Sequence, residues 1–190
     1  MALSCNLTNS ILKTSACGYS MQKVVDLYLV NRNDVEAIER VKPEGAKTDG
    51  AEEVSAITLA AEAKWAHIQP STNSASFTDA LTVLDNGGAY RTHTVSFSIN
   101  GAYSPDMVAV VNALSLGEYC AVAQLASGEY ILLGSHAVGL AATAVTNTGA
   151  ASAGEASGIA VEMAADVTVA AAPLAEAAIK ALTDNVADAL

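Results

Sequence analysis

The chain has 190 residues, of which 52% are apolar, only 5% aromatic and 39 alanine; that is enough for one domain with a core of its own and short for two, and it is too apolar for intrinsic disorder. Nine basic against 20 acidic side chains leave a net charge of −11, which argues against a protein that grips duplex DNA, because phosphate neutralisation needs a basic patch.

Lys23–Val30 is rich in β-branched and aromatic residues and predicts a strand. Asn31–Gly50 carries mixed charges with Pro43, Gly45 and Gly50 and reads as a solvated, mobile loop (31–50) with one short strand around Val35–Val41. Val54–Leu59 and Lys64–Gln69 predict further short strands, although Ala60–Ala66 fits a helical turn equally well, and Pro70–Asn73 is a turn cluster. Ser76–Leu84, Asp85-Asn86-Gly87-Gly88 and Tyr90–Ile99 then predict a long antiparallel hairpin around 76–99. Val95, Phe97 and Ile99 alternate with Thr94, Ser96 and Ser98, one apolar and one hydroxyl face, and the turn supplies residues that accept positive φ.

A helix is predicted over 104–116, with Ser104 as N-cap, Pro105 at the first helical position, Asp106 in the first turn and Gly117 as a left-handed terminator. Met107, Val110, Val111 and Leu114 fall at i, i+3, i+4 and i+7 and give it one apolar stripe for a sheet. Glu118–Leu125, Ser127-Gly128 and Glu129–Leu133 predict a second hairpin, continued by Gly134–Val145 with bends at Gly134 and Gly139. Thr146–Ser157 reads as a loop, and Gly158–Met163 as a strand running on to Val167–Val169. After Pro173 the Ala-rich segment 174–189 scores as helix, with Ile179, Leu182 and Val186 as a thin stripe. The fold class is mainly β with a packed helix (α+β): one β domain over 1–172 and an Ala-rich extension over 173–190, with no internal repeat.

Charge is uneven. Residues 1–91 hold 8 basic and 11 acidic groups, whereas residues 92–190 hold nine acids and a single cation, Lys180. Acids without partners in their own half are either hydrated or meet cations on another chain. Mean hydropathy is +0.33, yet the longest uncharged run, Tyr130–Gly154, is broken by Gly, Ser, Thr and Asn and offers no membrane span. Met1–Asn6 has neither a basic nor an apolar leader region, and the Asn6-Leu7-Thr8 sequon is discounted accordingly. Surplus apolar surface then has its ordinary outlet in contacts between subunits. Cys5, Cys17 and Cys120, an odd number with no CxxC, read as reduced thiols ahead of a Cys5–Cys17 bridge.

No constellation points to catalysis. Ser135 and His136, adjacent on a strand, point to opposite faces and form no dyad; His67, His93 and His136 lack zinc-ligand spacing; Gly87-Gly88 is a turn and not a phosphate loop. No cofactor, metal or enzyme activity is expected. Trp65, the sole Trp, reads as core ahead of interface.

Three segments carry a resemblance: Phe77-Thr-Asp-Ala-Leu through Tyr90–Ile99, the helix Ser104–Leu114, and Ser127–Gly134 with Val138-Gly-Leu140 and Gly158–Met163. They resemble tail tube proteins of tailed bacteriophages, especially those of Bacteroidetes-type hosts, and Cys5–Thr8 followed by Lys23–Val30 looks like that family's N-terminal strand. Low aromatic content and the tail after Pro173 depart from the family pattern. The resemblance implies an antiparallel β-sandwich or barrel flanked by a helix, homo-hexameric rings stacked into a hollow tube, other tail or neck proteins as partners, and DNA as cargo that is not bound. It also implies assembly in the host cytoplasm, a place in the virion tail, no membrane partner and no catalytic residues. A tail terminator, a capsid-decorating or fibre-associated β-domain, or the tube of a phage-like injection machine is the alternative. For a conduit, acids on bore-lining strands keep a duplex from sticking; Glu118 and Glu162, then Asp79 and Asp85, are the candidates.

Overall fold

The computed structural model describes residues 23–46, 51–100, 104–149 and 158–187. In chain order the elements are β1 (Val24–Asn31), a 3-10 turn (Arg32–Asp34), β2 (Val35–Val41), β3 (Glu53–Leu59), β4 (Ala66–Ile68), β5 (Ser76–Val83) and β6 (Ala89–Ile99). There follow α1 (Pro105–Leu116), β7 (Glu118–Leu125), β8 (Tyr130–Leu133), β9 (Leu140–Thr148), β10 (Gly158–Val167), β11 (Ala172–Pro173) and α2 (Glu176–Thr183). Mainly antiparallel sheet with two helices, the chain is of the α+β class.

Nine of the strands make one sheet in the order β11-β8-β7-β9-β10-β6-β5, with β1 on the other edge of β7 and β4 beyond β1; β2 and β3 pair separately. The sheet bends where one edge of β7 is shared, residues 121–124 pairing with β8 and residues 118–119 with β9. Two leaves result, β4-β1-β7-β8-β11 and β9-β10-β6-β5. They do not close into a barrel, so the barrel form of the expectation is corrected: β5 and β11 end the path without meeting.

Between the leaves, Leu27, Leu29, Ala121, Ala123 and Leu133 meet Val95, Phe97, Ile159, Val161 and Met163. The other side of the first leaf is also buried: Tyr28, Val30, Cys120, Val122 and Leu132 lie under Val35, Val54, Trp65, Leu174, Ala178 and Leu182. A strand buried on both faces has no polar side to show, which is why β7, Cys120-Ala-Val-Ala123, alternates so weakly in sequence. Its alanines leave room for the large side chains of β6 and β10.

Several boundaries differ from the sequence reading. The short strand expected around Val35–Val41 is present as β2 and pairs with β3; what differs is residues 31–34, where the Asn31 side chain accepts from Asn33 N at 3.2 Å and a 3-10 turn replaces loop, and residues 47–50 lie outside the described set. β9 runs to Thr148, held by Gly158 opposite it. α2 is shorter than 174–189, because Leu174 N donates to Tyr130 O and Ala175 N to Val54 O, keeping those residues extended. Residues after Pro173 are not an appendage either, since Ala178 and Leu182 belong to the second buried layer. Trp65 sits in that layer, its backbone bonded to Asn185 O and Ala187 N. Of the N-terminal expectations, Cys5, Cys17 and the sequon lie outside the described residues.

Ser104 caps α1, accepting from Met107 N at 3.2 Å. Gly117 is extended (φ −88°) and not left-handed; its missing Cβ leaves room for the Tyr119 ring, whose hydroxyl donates to Ala113 O at 2.8 Å and closes the helix end. Within the stripe only Leu114 is fully buried, while Met107, Val110 and Val111 are partly buried against the same core. Leu114→Asp is therefore expected to cost about 3–5 kcal/mol, read as a shift in the urea midpoint; a shift below ~1 kcal/mol would remove α1 from the core.

Candidate functional site

The second leaf has one face in the core and one with no described element upon it. Cross-strand register builds that free face row by row. Ser76 stands opposite Ser96, Ser96 opposite Glu162, and Glu162 opposite Ala144. The next row is Thr78, Thr94, Ala164 and Ala141, and the next Ala80, Thr92 and Asp166. Ser98, Ala160 and Thr146 complete it at the other end. The period of two that turns Val95, Phe97, Val161 and Met163 inward turns these residues outward.

In these rows the side chains are hydroxyls and methyls, apart from two exposed carboxylates. Glu162 and Asp166 share the face at a spacing of about 13 Å along β10, beyond the ~8 Å screening length of physiological salt, so each acts as a separate charge. Asp166 accepts from Thr92 Oγ1 at 2.7 Å, and Thr143 Oγ1 donates to Glu162 O at 3.2 Å. These rows hold no Lys or Arg. The one β6 arginine, Arg91, has the opposite parity and goes to Asp79 on the inner side.

The four candidate acids are thus not brought together. Glu162 lies on the free face. Glu118, the first residue of β7, is paired with Arg32 Nε at 2.7 Å. Asp85 is exposed in the β5–β6 turn. Asp79 turns inward, away from the free face: Oδ1 accepts from Arg91 at 2.8 Å and Oδ2 from Ala171 N at 3.0 Å. Burial alone would raise its pKa, but these hydrogen bonds and the adjacent positive charges hold the carboxyl below its ordinary value. Asp166 escaped the sequence reading although its signal was present: it stands four residues after Glu162 on one strand and so must share its face.

The other reactive groups have structural employment. Cys120 is a buried free thiol whose pKa burial pushes up to about 11, so it is inert as a nucleophile at neutral pH. Ser135 Oγ binds the backbone of Val138 within its own turn. His67 stacks on Tyr28, with ring centroids 4.8 Å apart, and meets Asp26 at 3.0 Å on the first leaf. Among the described residues no cluster of three or more His, Cys, Asp or Glu is arranged to hold a metal ion, and no helix is long and apolar enough to cross a membrane.

What the described part of the free face offers is a surface of hydroxyls and methyls that, carrying carboxylates and no cations, repels polyanions. No protein-family model, no curated protein and no solved structure matches the chain.

Proposed function

We propose that the chain is the structural subunit of a hollow conduit for DNA, the tail tube of a tailed phage, in which the free face of β9-β10-β6-β5 lines the bore. The observation that carries this reading is the composition of that face: hydroxyls, methyls, Glu162 and Asp166, with no cation among its described residues. A passing duplex must not be held, and each exposed Lys or Arg would bind phosphate and release counterions. Screening confines the repulsion to about 8–10 Å, so the carboxylates act as a wall coating and not as a long-range field.

Self-assembly into hexameric rings, stacked into a tube within the virion tail, completes the reading. It is supported by apolar groups left outside the core where the β5–β6 hairpin runs out: Leu81 is 57% exposed, Val83 67% and Leu84 44%. Such groups gain from burial against a neighbouring copy. β5 is also an edge strand, whose unpaired backbone a subunit contact would protect. Electron microscopy of the concentrated purified protein tests the assembly: six-fold rings or tubes are expected, and isolated particles at all concentrations would reject it.

A further inference from the structure

His93 is wholly buried and stands where the two leaves are tied together. Its Nδ1 accepts from Gly134 N at 3.0 Å, in the turn that carries the chain from β8 to β9; Gly134 has φ +84°, so this turn is held in a glycine conformation. An acceptor at Nδ1 places the single proton of a neutral ring on Nε2. That nitrogen makes no hydrogen bond of ordinary geometry; Asp79 Oδ1 is 3.6 Å away, and the Val169 carbonyl acts on the ring as a weak acceptor.

Asp79 in turn fastens the second passage between the leaves, the crossover from β10 to β11. Its Oδ2 receives Ala171 N, while Arg40 NH1 of β2 donates to the neighbouring Ala170 O at 3.0 Å. The charged groups around the imidazole are therefore Asp79 from β5, Arg91 from β6 and Arg40 from β2, the last also 3.7 Å from Glu52. One carboxylate faces two guanidinium groups, and the ring that would carry an added charge is closed off from solvent. Taking up a second proton would set an N–H against Gly134 N–H and put an imidazolium between two arginines. Burial, with Arg40 and Arg91, disfavours the cation more than Asp79 and the Val169 carbonyl favour it, so the ring's pKa lies below its ordinary value.

We propose that His93 is the proton-sensitive catch of a latch: on taking up a second ring proton in mild acid it gives up Gly134, and the β8–β9 turn and the Val169–Ala171 crossover loosen together while the β1–β7 core stays closed. The closed state binds fewer protons than the open one, so acid favours opening. Opening rises as pH falls below about 6.5, the value of a free histidine, by up to tenfold per pH unit. It levels off below the pKa of the closed ring. Asp79, held low, keeps its charge in this range, so the loosening between about pH 6.5 and 5 belongs to His93.

Amide hydrogen-exchange protection factors of the whole chain, taken from pH 7.5 to 5, test this independently of the conduit reading. Gly134 and Ala171 are expected to lose protection up to tenfold per pH unit below about 6.5, while Val122 in β7 stays unchanged. In His93→Asn, whose carboxamide oxygen can accept from Gly134 but takes no proton, the dependence should vanish. Flat protection in the wild type, or the same slope in His93→Asn, would overturn the latch. Should His93→Asn not fold, the wild-type ring titration followed by its NMR shifts decides: coincidence with the loss at Gly134 supports the latch, and titration without that loss contradicts it.

Discussion

Asp79→Ala is expected to lose about 2–4 kcal/mol of stability at neutral pH, whereas Asp166→Ala loses no more than about 0.5–1 kcal/mol. The two carboxylates lie on the same leaf but on opposite faces. Removing Asp79 strips Arg91 of its partner and leaves Ala171 N without an acceptor at the crossover, in a partly buried setting. Removing Asp166 costs one exposed bond from Thr92, and water replaces it. Acid provides a second signature. Asp79's pKa is lower in the folded than in the unfolded chain, so its stabilisation is complete above the unfolded carboxyl value, about 3.9, and disappears as pH falls through the folded one. Urea unfolding at pH 7 and through that acid window should show Asp79→Ala losing part of the wild-type pH dependence. Equal losses for the two variants would mean that Asp79 is not the inward anchor described.

Glu162→Lys with Asp166→Lys is expected to leave folding within about 1 kcal/mol of the wild type, since both side chains are exposed and neither has an ion-pair partner among the described residues. If the face lines a bore, the effect on function is large. Rings of lysines replace rings of carboxylates around the duplex. With about six phosphate contacts, affinity for DNA would change about 10³-fold between 50 and 200 mM salt. DNA passage should stall at low salt and recover at high salt. Glu118 is left out of this variant because reversing it would break the Arg32 pair and confound assembly with charge. Unchanged, salt-independent passage through the double variant would remove the face from the path of the DNA.

The β5–β6 hairpin and α1 are legible in the sequence because their signals are local. Asp85-Asn-Gly-Gly88 fixes one turn, Ser104-Pro-Asp106 one helix start, and Val95, Phe97 and Ile99 show one strand's buried side. β7 and the segment after Pro173 are less legible, since what decides them is burial on two sides by elements distant in the chain. Within the polar stretch 31–50, the short strand at Val35–Val41 is legible from its apolar residues, whereas the 3-10 turn before it depends on the Asn31 side chain and gives no periodic signal.

The acids are the instructive failure. A hairpin turn at 84–88 sets Phe77 opposite Val95, and therefore Asp79 opposite His93, on the core side. That inference was available from alternation alone, but a carboxylate is solvated by default until its partners are known, and Arg91 and Ala171 become partners only through the fold. Glu162 and Asp166 differ in that no described element packs above them, a property of the whole leaf that no single strand can declare.

The most direct measurement is a cryo-electron-microscopy reconstruction of the assembled particle at side-chain resolution. The expected result is a hollow tube of six-fold rings with Glu162, Asp166 and the Ser/Thr rows of β5, β6 and β10 on the bore, the layer of α2 and β2–β3 to the outside, and a bore more negative than the outer wall. A tube whose bore is lined by any other face, or whose bore is neutral or positive, would contradict it.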